Sequence, residues 1–401
     1  MSIAKTVKER SVVRVSERVR SVPWSPIRHM MGLAASMPDV ISLTVGQPDY
    51  DTPRHIVEAC KAALDTGHTR YGPAAGIPEL RRAVAHKLWQ VNGIQADPGS
   101  QIIITVGAQE AIILAMLALL DPGDEVILPD PIYTNYHGHV PMVSAKLVLV
   151  PAREENGFMM MPEDIEAAIT ERTRVLLINS PCNPTGAVAS RPVLESYAKV
   201  AQEHDLMVIS DEAYESLIYG DAKHICIATL PGMAERTVSI YTFSKSYAMT
   251  GWRVGYLTGP VGIVNEVHKI QEGVVSCPVT FAQYGALAAL EGPQDCIAEM
   301  VTEYDKRRRF ALDALGGIEG ITCVEPRGAF YIFVNVSSFG LSSVDLVMHL
   351  LEKAAVATVP GTAFGPGGEG FLRLCYGSVS MEKLAEGIER IHRGLRALQK
   401  S

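Results

Sequence analysis

Short runs of β-branched and aliphatic residues alternate with longer segments in which apolar residues recur every three or four positions. Buried strands are predicted at residues 101–106, 125–128, 146–150, 175–179, 206–210 and 238–243. Helices are predicted at residues 54–66, 79–92, 107–120 and 192–204. Strands that alternate with helices at this spacing form right-handed crossover units, so we expect an α/β fold with a mostly parallel sheet. In such sheets, ligands bind at the carboxyl ends of the strands.

The pattern changes after Tyr256. Helical segments occupy residues 262–316, and a further helix is predicted at 343–355. Strands are predicted at residues 321–324, 330–335, 356–359 and 371–375. We expect these elements to form a second, smaller domain of the α+β class.

Composition narrows the class of protein. With 401 residues, of which 47% are hydrophobic and 20% are charged, the chain is expected to be soluble and globular. A net charge of −8 argues against a nucleic-acid groove, which needs a basic face, so the expected ligand is small. The longest apolar run, residues 111–120, is far shorter than a membrane span.

Cysteine usage and the amino-terminal segment bear on the compartment. The seven cysteines are scattered and never form a Cys-x-x-Cys pair, so the sequence indicates neither a disulfide framework nor a metal site. A cytoplasmic location fits best. The basic segment at residues 5–20 is compatible with a mitochondrial presequence, but Glu9 and Glu17 interrupt it.

Residues 238–256 carry the first chemical signal. The predicted strand ends just before Ser244 and Lys245, and Arg253 returns to the same neighbourhood after a short excursion. A desolvated lysine has a depressed pKa, so its neutral amine attacks carbonyl groups, whereas arginine stays charged and suits a phosphate. An amine beside a phosphate anchor suggests pyridoxal 5′-phosphate. On these residues alone, a solvated loop lysine is the alternative.

A second signal follows the strand at 101–106. Gly107, Ala108 and Gln109 open the next helix, so their backbone N–H groups and the helix dipole are predicted to form a cradle for an anion. Neither GxGxxG nor GxxxxGK[ST] is present, so the sequence does not support a dinucleotide or a nucleoside triphosphate.

Polar residues also follow the two strands at 175–179 and 206–210. Asn183 lies in a Pro- and Gly-rich loop, where its amide can donate to a phenolate oxygen, and Tyr214 can share that oxygen. Asp211 directly follows a buried strand, where a carboxylate is costly unless it is paired. A protonated ring nitrogen is a suitable partner, which would let the ring withdraw electrons from the substrate. The alternative for Asp211 is a helix N-cap.

Five further residues are candidates on weaker local signals. Gly46 leaves its N–H open in a sharp turn after a short strand at 40–45, and Tyr71 lies on a Gly- and Pro-rich loop from which it can donate to an anion. Tyr133 can stack on a planar ring, and Arg373 can clamp a carboxylate. Trp24 lies in a constrained segment that can cover a site or a neighbouring subunit. A plain turn, packing or surface role is the alternative for these positions.

Taken together, these stretches resemble the aspartate aminotransferase group of the class I and II aminotransferases, which are pyridoxal-phosphate enzymes of fold type I. The resemblance covers essentially the whole chain, and its motifs are TVGQPDYDTP, RYGPAAGIPELR, VGAQEA, NSPCNPTGAV, SDEAYE, FSKSYAMTGWRVGY, VPGTAFG and LRLCYG. It implies a large domain at residues 56–299 with a seven-stranded, mostly parallel sheet between helices. The smaller domain would combine residues 1–55, which include an arm, with residues 300–401.

The resemblance also implies roles for individual residues around the cofactor. Lys245 would form the Schiff base and move the proton, and Asp211 would pair with the ring nitrogen. Asn183 and Tyr214 would bind the phenolate oxygen, and Tyr133 would stack on the ring. The phosphate would be bound by Ser244, Arg253 and the backbone of Gly107, Ala108 and Gln109.

For the substrate, the resemblance points to Gly46, Asn183 and Arg373 at the α-carboxylate. Tyr71 looks like the residue that reaches the phosphate site of a partner subunit, which implies a homodimer with shared sites. Trp24 and Arg28 are candidates for the side-chain pocket, with opposite implications for the substrate. The chain departs from the family at Tyr133, which often is tryptophan, and at Gln47, where an acidic residue is common.

The predicted function is transfer of an amino group between an α-amino acid and a 2-oxo acid by a ping-pong mechanism. One alternative is an elimination, cyclisation or oxidation with the same cofactor, because the same lysine and aspartate serve all of these reactions. Another is a non-catalytic ligand-binding relative. The sequence names neither the donor nor the acceptor.

Overall fold

A computed structural model describes residues 15–398 of the chain. Residues 5–14 of the basic segment at 5–20 therefore lie outside the described residues. Among residues 15–398, no helix combines the length and the apolar composition needed to cross a membrane.

The strands are β1 (Ile41–Ser42), β2 (Ile102–Thr105), β3 (Glu125–Asp130), β4 (Lys146–Pro151), β5 (Thr173–Asn179), β6 (Met207–Asp211), β7 (Thr237–Thr242), β8 (Gly255–Thr258), β9 (Thr322–Cys323), β10 (Tyr331–Asn335), β11 (Val356–Ala357), β12 (Val359–Pro360) and β13 (Phe371–Cys375).

The helices are α1 (Glu17–Arg20), α2 (Pro26–Ala35), α3 (Arg54–Asp65), α4 (Pro78–Lys87), α5 (Gly107–Leu119), α6 (Tyr136–Met142), α7 (Pro162–Ala168), α8 (Arg191–Glu203), α9 (Phe243–Ser246), α10 (Val261–Val275), α11 (Thr280–Glu291), α12 (Asp295–Gly316), α13 (Ser343–Ala354) and α14 (Met381–Leu398).

The central sheet has seven strands in the order β2-β8-β7-β6-β5-β3-β4. Strands β3 to β7 run parallel to one another, and β8 is antiparallel to both of its neighbours. The predicted α/β fold with a mostly parallel seven-stranded sheet is confirmed. Its inner strands read as unbroken apolar runs because helices cover both faces, and this burial leaves the strand ends as the places for polar side chains.

Helix α8 illustrates how the periodic segments fold onto this sheet. Its buried residues Leu194, Tyr197, Ala198 and Ala201 recur every three or four positions, so they form one stripe. The stripe packs into a core cluster with residues of β3, β5 and β6. Burial of each large apolar side chain contributes roughly 2 kcal/mol, which outweighs the weak intrinsic preference of a short helix.

A second core combines the two ends of the described chain. It joins Met30 and Leu43 to residues of α12, α13, α14, β10 and β13, and β1 pairs in parallel with β11. A four-stranded antiparallel sheet, β12-β13-β10-β9, lies in this half of the molecule. The smaller α+β unit is thus built from both chain ends, while its exact limits at residues 55 and 299 stay a prediction.

Several local predictions were wrong at element boundaries. The strand expected at 40–45 is regular only in β1, because it has a single short partner, β11. The helix expected at 79–92 leaves the α-helical pattern after Lys87, and residues 88–92 form a π-helical turn that ends at Gly93 in the left-handed region. The strand expected at 356–359 is split between β11 and β12, which belong to different sheets.

The turn expected at Lys245 is instead the one-turn helix α9. Thr242 caps it, because its hydroxyl oxygen accepts from the backbone N–H of Ser244, and the sequence from Phe243 to Ser246 contains no glycine or proline. Lys245 therefore projects from a short helix at the carboxyl end of β7, which fixes the direction of its side chain more tightly than a loop would.

Candidate active site

Three neighbouring parallel strands, β5, β6 and β7, end beside one cavity of about 430 Å³. The cavity is also lined from α5 and from β13 of the second core. Most residues predicted from the sequence meet there, namely Gly46, Ala108, Gln109, Tyr133, Asn183, Asp211, Tyr214, Ser244, Lys245, Arg253 and Arg373. The ends of these neighbouring strands therefore bring together side chains that are far apart along the chain, as the sequence pattern predicts.

Lys245 presents its amine to the cavity. Its Nζ donates to the backbone carbonyl of Gly46 at 2.6 Å and lies 5.7 Å from the ring centre of Tyr214 and 5.8 Å from that of Phe330. Burial is the largest cause that lowers the pKa of Lys245 to about 8; the guanidinium groups of Arg253 and Arg373 act in the same direction, whereas Cys375 and Asp211 oppose the shift. The amine is thus available in its nucleophilic, neutral form near neutral pH.

Asp211 is the last residue of β6 and is fully buried. One carboxylate oxygen accepts from the backbone N–H of Ala213 at 3.0 Å, and the other accepts from the hydroxyl of Tyr136. Burial raises the pKa of Asp211, although the Tyr136 hydrogen bond acts in the opposite direction. Within the described residues no cation forms an ion pair with this carboxylate, so it remains able to bind a protonated group in the cavity.

Asn183 and Arg373 orient each other. Arg373 is only 1% exposed; its Nη1 donates to the Oδ1 of Asn183 at 2.8 Å, and its Nη2 donates to the carbonyl of Thr44. The backbone N–H of Asn183 donates to Asn179 at 3.0 Å. Because the Oδ1 of Asn183 is engaged, its NH₂ group is left to donate. The Nε of Arg373 is buried without a partner among the described residues.

The amino-terminal end of α5 forms one wall of the cavity. Gly107 has a φ of +74°, and a Cβ there would collide with the Arg253 guanidinium. Arg253 is held against this helix end by hydrogen bonds from Nη1 to Thr250 at 2.9 Å and from Nη2 to Val106 at 3.4 Å. Unpaired helix N–H groups, the helix dipole and a guanidinium therefore converge, as an anion requires.

Ser244 and Gln109 complete this wall. The hydroxyl of Ser244 accepts from Thr242 at 2.8 Å, which turns the Ser244 proton away from Thr242. The amide of Gln109 donates to the hydroxyl of Tyr133 at 3.3 Å, and Asn135 donates to the Gln109 carbonyl at 2.8 Å. Burial raises the pKa of Tyr133 to about 12, so its ring stays neutral and suits stacking against a planar group.

The opposite wall is built around two tyrosines. The hydroxyls of Tyr214 and Tyr331 share a hydrogen bond of 2.6 Å, and Tyr331 packs 4.5 Å from the guanidinium carbon of Arg373. A Cβ at Gly46 would collide with the Tyr331 hydroxyl. Glycine is thus required at position 46 because the backbone passes close to the hydroxyl of Tyr331. This steric reason adds to the open backbone N–H inferred from the sequence.

Two candidates do not reach the cavity within this chain. Trp24 is 96% exposed and lines a separate depression with Pro26 and His137, whereas Tyr71 is 90% exposed and lies near Thr280. Arg28, the other candidate for the side-chain pocket, does line the cavity. Of the two residues weighed for that pocket, the arginine is therefore the one placed for contact in a single chain.

Sequence reasoning missed Tyr136 and Tyr331. Tyr136 donates to Asp211 across 75 positions of sequence, and Tyr331 contacts Tyr214 across 117 positions. No short motif marks either residue. The only signal for Tyr331 was its place at the start of a predicted strand in the second domain, which does not reveal that the strand faces the cavity.

Comparisons with known proteins agree with this geometry. The model of the family "Aminotransferase class I and II" matches residues 38–391. An aspartate aminotransferase from Pyrococcus abyssi is 46% identical over 384 residues, which cover 95% of this chain and 98% of that protein. An aromatic-amino-acid aminotransferase from Thermococcus litoralis is 44% identical over 384 residues, with the same coverage of the two chains, 95% and 98%.

Solved structures are similar over the same length. A Pyrococcus protein-A1 superposes with a TM-score of 0.93 at 45% identity and covers 96% of this chain and 99% of its own. The aspartate aminotransferase from Thermus thermophilus, solved with maleate, has a TM-score of 0.90 at 38% identity and covers 95% and 100% of the two chains.

The environment of Lys245 predicts its titration. In the protein freed of small molecules, the Lys245 amine should lose its proton with a midpoint near pH 8, so that roughly half is neutral there, compared with under about 1% for an ordinary lysine. The rate of labelling by an amine-specific reagent, followed by peptide mass spectrometry against pH, measures this midpoint. The exposed Lys61 serves as the internal control, and equal midpoints for the two lysines would contradict the assignment.

Proposed function

This chain belongs to the class I and II aminotransferase family, and from that premise we propose which of its residues bind the cofactor and substrate and which substrates it takes. As a member, it is a pyridoxal-phosphate-dependent aminotransferase that moves an amino group between an α-amino acid and a 2-oxo acid. One observation carries the assignment of the site: an amine of lowered pKa, a buried carboxylate and an anion cradle all open into one cavity.

The residues of the cavity fit this cofactor. The end of α5, where a Cβ at Gly107 would fill the space beside Arg253, suits the phosphate together with Ser244. The carboxylate of Asp211 has the charge that a protonated ring nitrogen needs. A side-chain amine of lowered pKa suits an aldehyde, so Lys245 is the attachment point.

When bound, pyridoxal phosphate supplies an aldehyde for the amino group and a ring that withdraws electrons from the substrate's α-carbon. Once its amine is free, Lys245 would take up the α-proton at its Nζ, and the burial that lowers the pKa of this amine to about 8 favours the neutral form that this role needs. Asp211 would keep a proton on the ring nitrogen through a charge-assisted hydrogen bond. Its other contacts, from Ala213 and Tyr136, keep the carboxylate fixed.

Asn183 and Tyr214 would donate to the cofactor's phenolate oxygen. The hydrogen bond from Arg373 to the Oδ1 of Asn183 orients this amide and leaves its NH₂ group available as a donor. When Tyr331 donates within the 2.6 Å pair, the proton of Tyr214 is free to point into the cavity. Tyr133, whose neutral form is maintained by burial, would stack on the ring.

Arg373 binds the substrate's α-carboxylate, with Gly46 and Asn183 beside it. Its buried Nε has no protein partner among the described residues, so a carboxylate satisfies a group that otherwise costs free energy. A bidentate guanidinium contact also fixes which bond of the α-carbon faces the ring, which favours removal of the proton over loss of the carboxylate.

We further infer that the enzyme takes dicarboxylic substrates, aspartate or glutamate and the matching oxo acids. Arg28 lines the cavity from α2, and within residues 15–398 its guanidinium has no carboxylate partner. It is therefore an available cation for a second carboxylate. The relatives named aspartate aminotransferase and the structure solved with maleate agree with this choice. The relative named for aromatic amino acids defines the alternative.

The enzyme acts as a homodimer in the cytoplasm. Tyr71 and Trp24 are almost fully exposed, which is unusual for large aromatic side chains unless a partner covers them. Tyr71 contributes its hydroxyl to the phosphate site of the second subunit. The cysteines of the described chain are all free, which supports a reducing compartment.

Asp211→Asn should lower kcat by on the order of a hundredfold and change KM less than tenfold, because the lost charge acts on the transition state more than on the bound substrate. Asparagine keeps nearly the same shape and can still accept from Ala213. Steady-state kinetics with saturating cofactor test this expectation. Near-normal turnover would mean that Asp211 only supports the backbone.

Arg28→Gln should lower kcat/KM for aspartate and 2-oxoglutarate about tenfold and leave tyrosine as donor within about threefold, because only the dicarboxylic substrates lose a charged contact. Arg20→Gln, an equally exposed change in α1, is the matched control. An equal loss for tyrosine and aspartate would contradict a role of Arg28 in selecting the second carboxylate.

Mixing two inactive variants tests the shared site. If Tyr71 serves the partner's phosphate site, subunits with Lys245→Ala and subunits with Tyr71→Ala should together form heterodimers in which one of the two sites is intact. Activity should recover to about a quarter or less of the wild-type value after subunit exchange. If exchange is verified by mass spectrometry and activity stays absent, each site is built within one chain.

A further inference from the structure

The loop that begins at the end of β6 contains both residues that line the cavity and residues that are anchored outside it. Asp211 and Tyr214 line the cavity, whereas Glu212 and Glu215, each next in sequence, bond to elements that do not line it. Glu212 is 1% exposed, and the side chain of Glu215 is 9% exposed. Two acidic side chains are thus buried directly beside the two proposed cofactor-binding residues, although neither reaches the cavity.

Glu212 is held by three side chains. Its Oε1 accepts from the hydroxyl of Ser210 at 3.0 Å, and its Oε2 contacts the Nε2 of His224 and the Sγ of Cys226, each at 2.8 Å. The backbone N–H of Glu212 donates to Ile240 of β7 at 2.9 Å. The carboxylate therefore ties the start of the loop to the segment at 224–226 and to the sheet.

Glu215 is held by two other side chains, those of Lys87 and Asn92. Lys87 at the end of α4 forms an ion pair with its Oε1, and Asn92 donates to its Oε2 at 2.7 Å. The same Asn92 amide lies 3.2 Å from the Sγ of Cys226. Asn92 therefore links the contacts of Glu215 to those of Glu212, so the two anchors belong to one network.

We propose that Glu212 and Glu215 are positioning residues that fix Asp211 and Tyr214 in the cavity, an inference that rests on the proposed function of this site. Each anchor directly follows one working residue in the sequence, so a displacement of the anchor passes to that residue through a single peptide bond. The hydroxyls of Ser216, which follows Glu215, and of Ser246, which follows Lys245, are 3.1 Å apart, so the loop also contacts the helix that carries Lys245.

A metal ion is the competing explanation, because Glu212, His224 and Cys226 offer three ligand atoms within 4.8 Å of one another. Ligands of a tetrahedral zinc ion, with bonds of about 2.0–2.3 Å, lie roughly 3.3–3.6 Å apart. The contacts of 2.8 Å between Glu212 and both partners are shorter than that. The contact with the Nε2 of His224 has the length of a direct hydrogen bond.

The charges of the network also balance without a metal. Burial opposes a charge on His224, but its hydrogen bond and attraction to Glu212 together raise the pKa of His224. The same contact lowers the pKa of Glu212 in spite of its burial. His224 then pairs with Glu212 as Lys87 pairs with Glu215. Removal of the Glu215 charge leaves the half-buried Lys87 amine without its partner, and removal of the Glu212 charge lowers the pKa of His224, so the ion pair at that anchor is lost. Either change weakens the hold on the loop.

Glu212→Gln and Glu215→Gln test the proposal, because each keeps the shape of the side chain and removes its charge. In the enzyme with bound cofactor, kcat should fall about tenfold for each variant, and KM should stay within about threefold. The cofactor should dissociate several-fold faster. In the enzyme without cofactor, amide hydrogen exchange at residues 211–217 should become at least tenfold faster.

Asp305→Asn is the control, because it removes an ion pair from the buried Arg308 in α12, away from the loop. It should lower the melting temperature without changing kcat, cofactor release or exchange at 211–217. If the glutamine variants behave like this control, the positioning role is wrong. Asn92→Ala, a half-buried bridge, gives the same test with a smaller loss if either glutamine variant fails to fold.

Two further measurements test for a bound metal ion and for the proposed function separately from the positioning role. Zinc analysis of the wild-type enzyme after dialysis without chelator should give far less than one ion per chain, and one tightly bound ion lost in Cys226→Ala would overturn the hydrogen-bonded reading. If the wild-type protein itself moves no amino group, the proposed function fails. If the wild type is active and the variants match the control, only the positioning role fails.

Discussion

The site depends on the cost of taking charged groups out of water. Lys245, Asp211 and Arg373 lie within one cavity, and each would be more stable in solvent than in a low-dielectric interior. That cost is what lowers the pKa of Lys245 to about 8 and raises the pKa of Asp211. The fold must therefore supply enough apolar burial elsewhere to hold these groups together before any ligand is bound.

The two cores on either side of the cavity supply that burial. The carboxyl ends of β5, β6 and β7 bring Asp211 and the Lys245 helix to one side, while β13 brings Arg373 from the other. The two sets meet at the cavity, where Arg373 donates across the junction to Asn183. The position of the site between two packed units follows from this division, and it explains why the chain ends contribute to a single core.

The sequence could predict the strand-end residues, because a parallel sheet aligns its carboxyl ends whatever the details of packing. Lys245, Asp211 and Asn183 were found in this way. It could not predict Tyr136 or the Glu215 contact with Lys87, which join residues 75 and 128 positions apart. Such contacts depend on how helices pack across the sheet. The same limit applies to Trp24 and Tyr71, whose proposed partners belong to a second chain.

Asp211 and Glu212 show how adjacent carboxylates acquire different roles. Both are almost completely buried, yet they face different neighbours because successive side chains of an extended segment point to opposite sides. Glu212 meets His224, and its pKa is lowered, so its charge is already balanced by the protein. Asp211 meets only neutral donors, and its pKa is raised. A buried carboxylate whose charge the protein does not balance is suited to a cation that arrives with the ligand, and on this ground we propose Asp211, and not Glu212, as the residue that contacts the ligand.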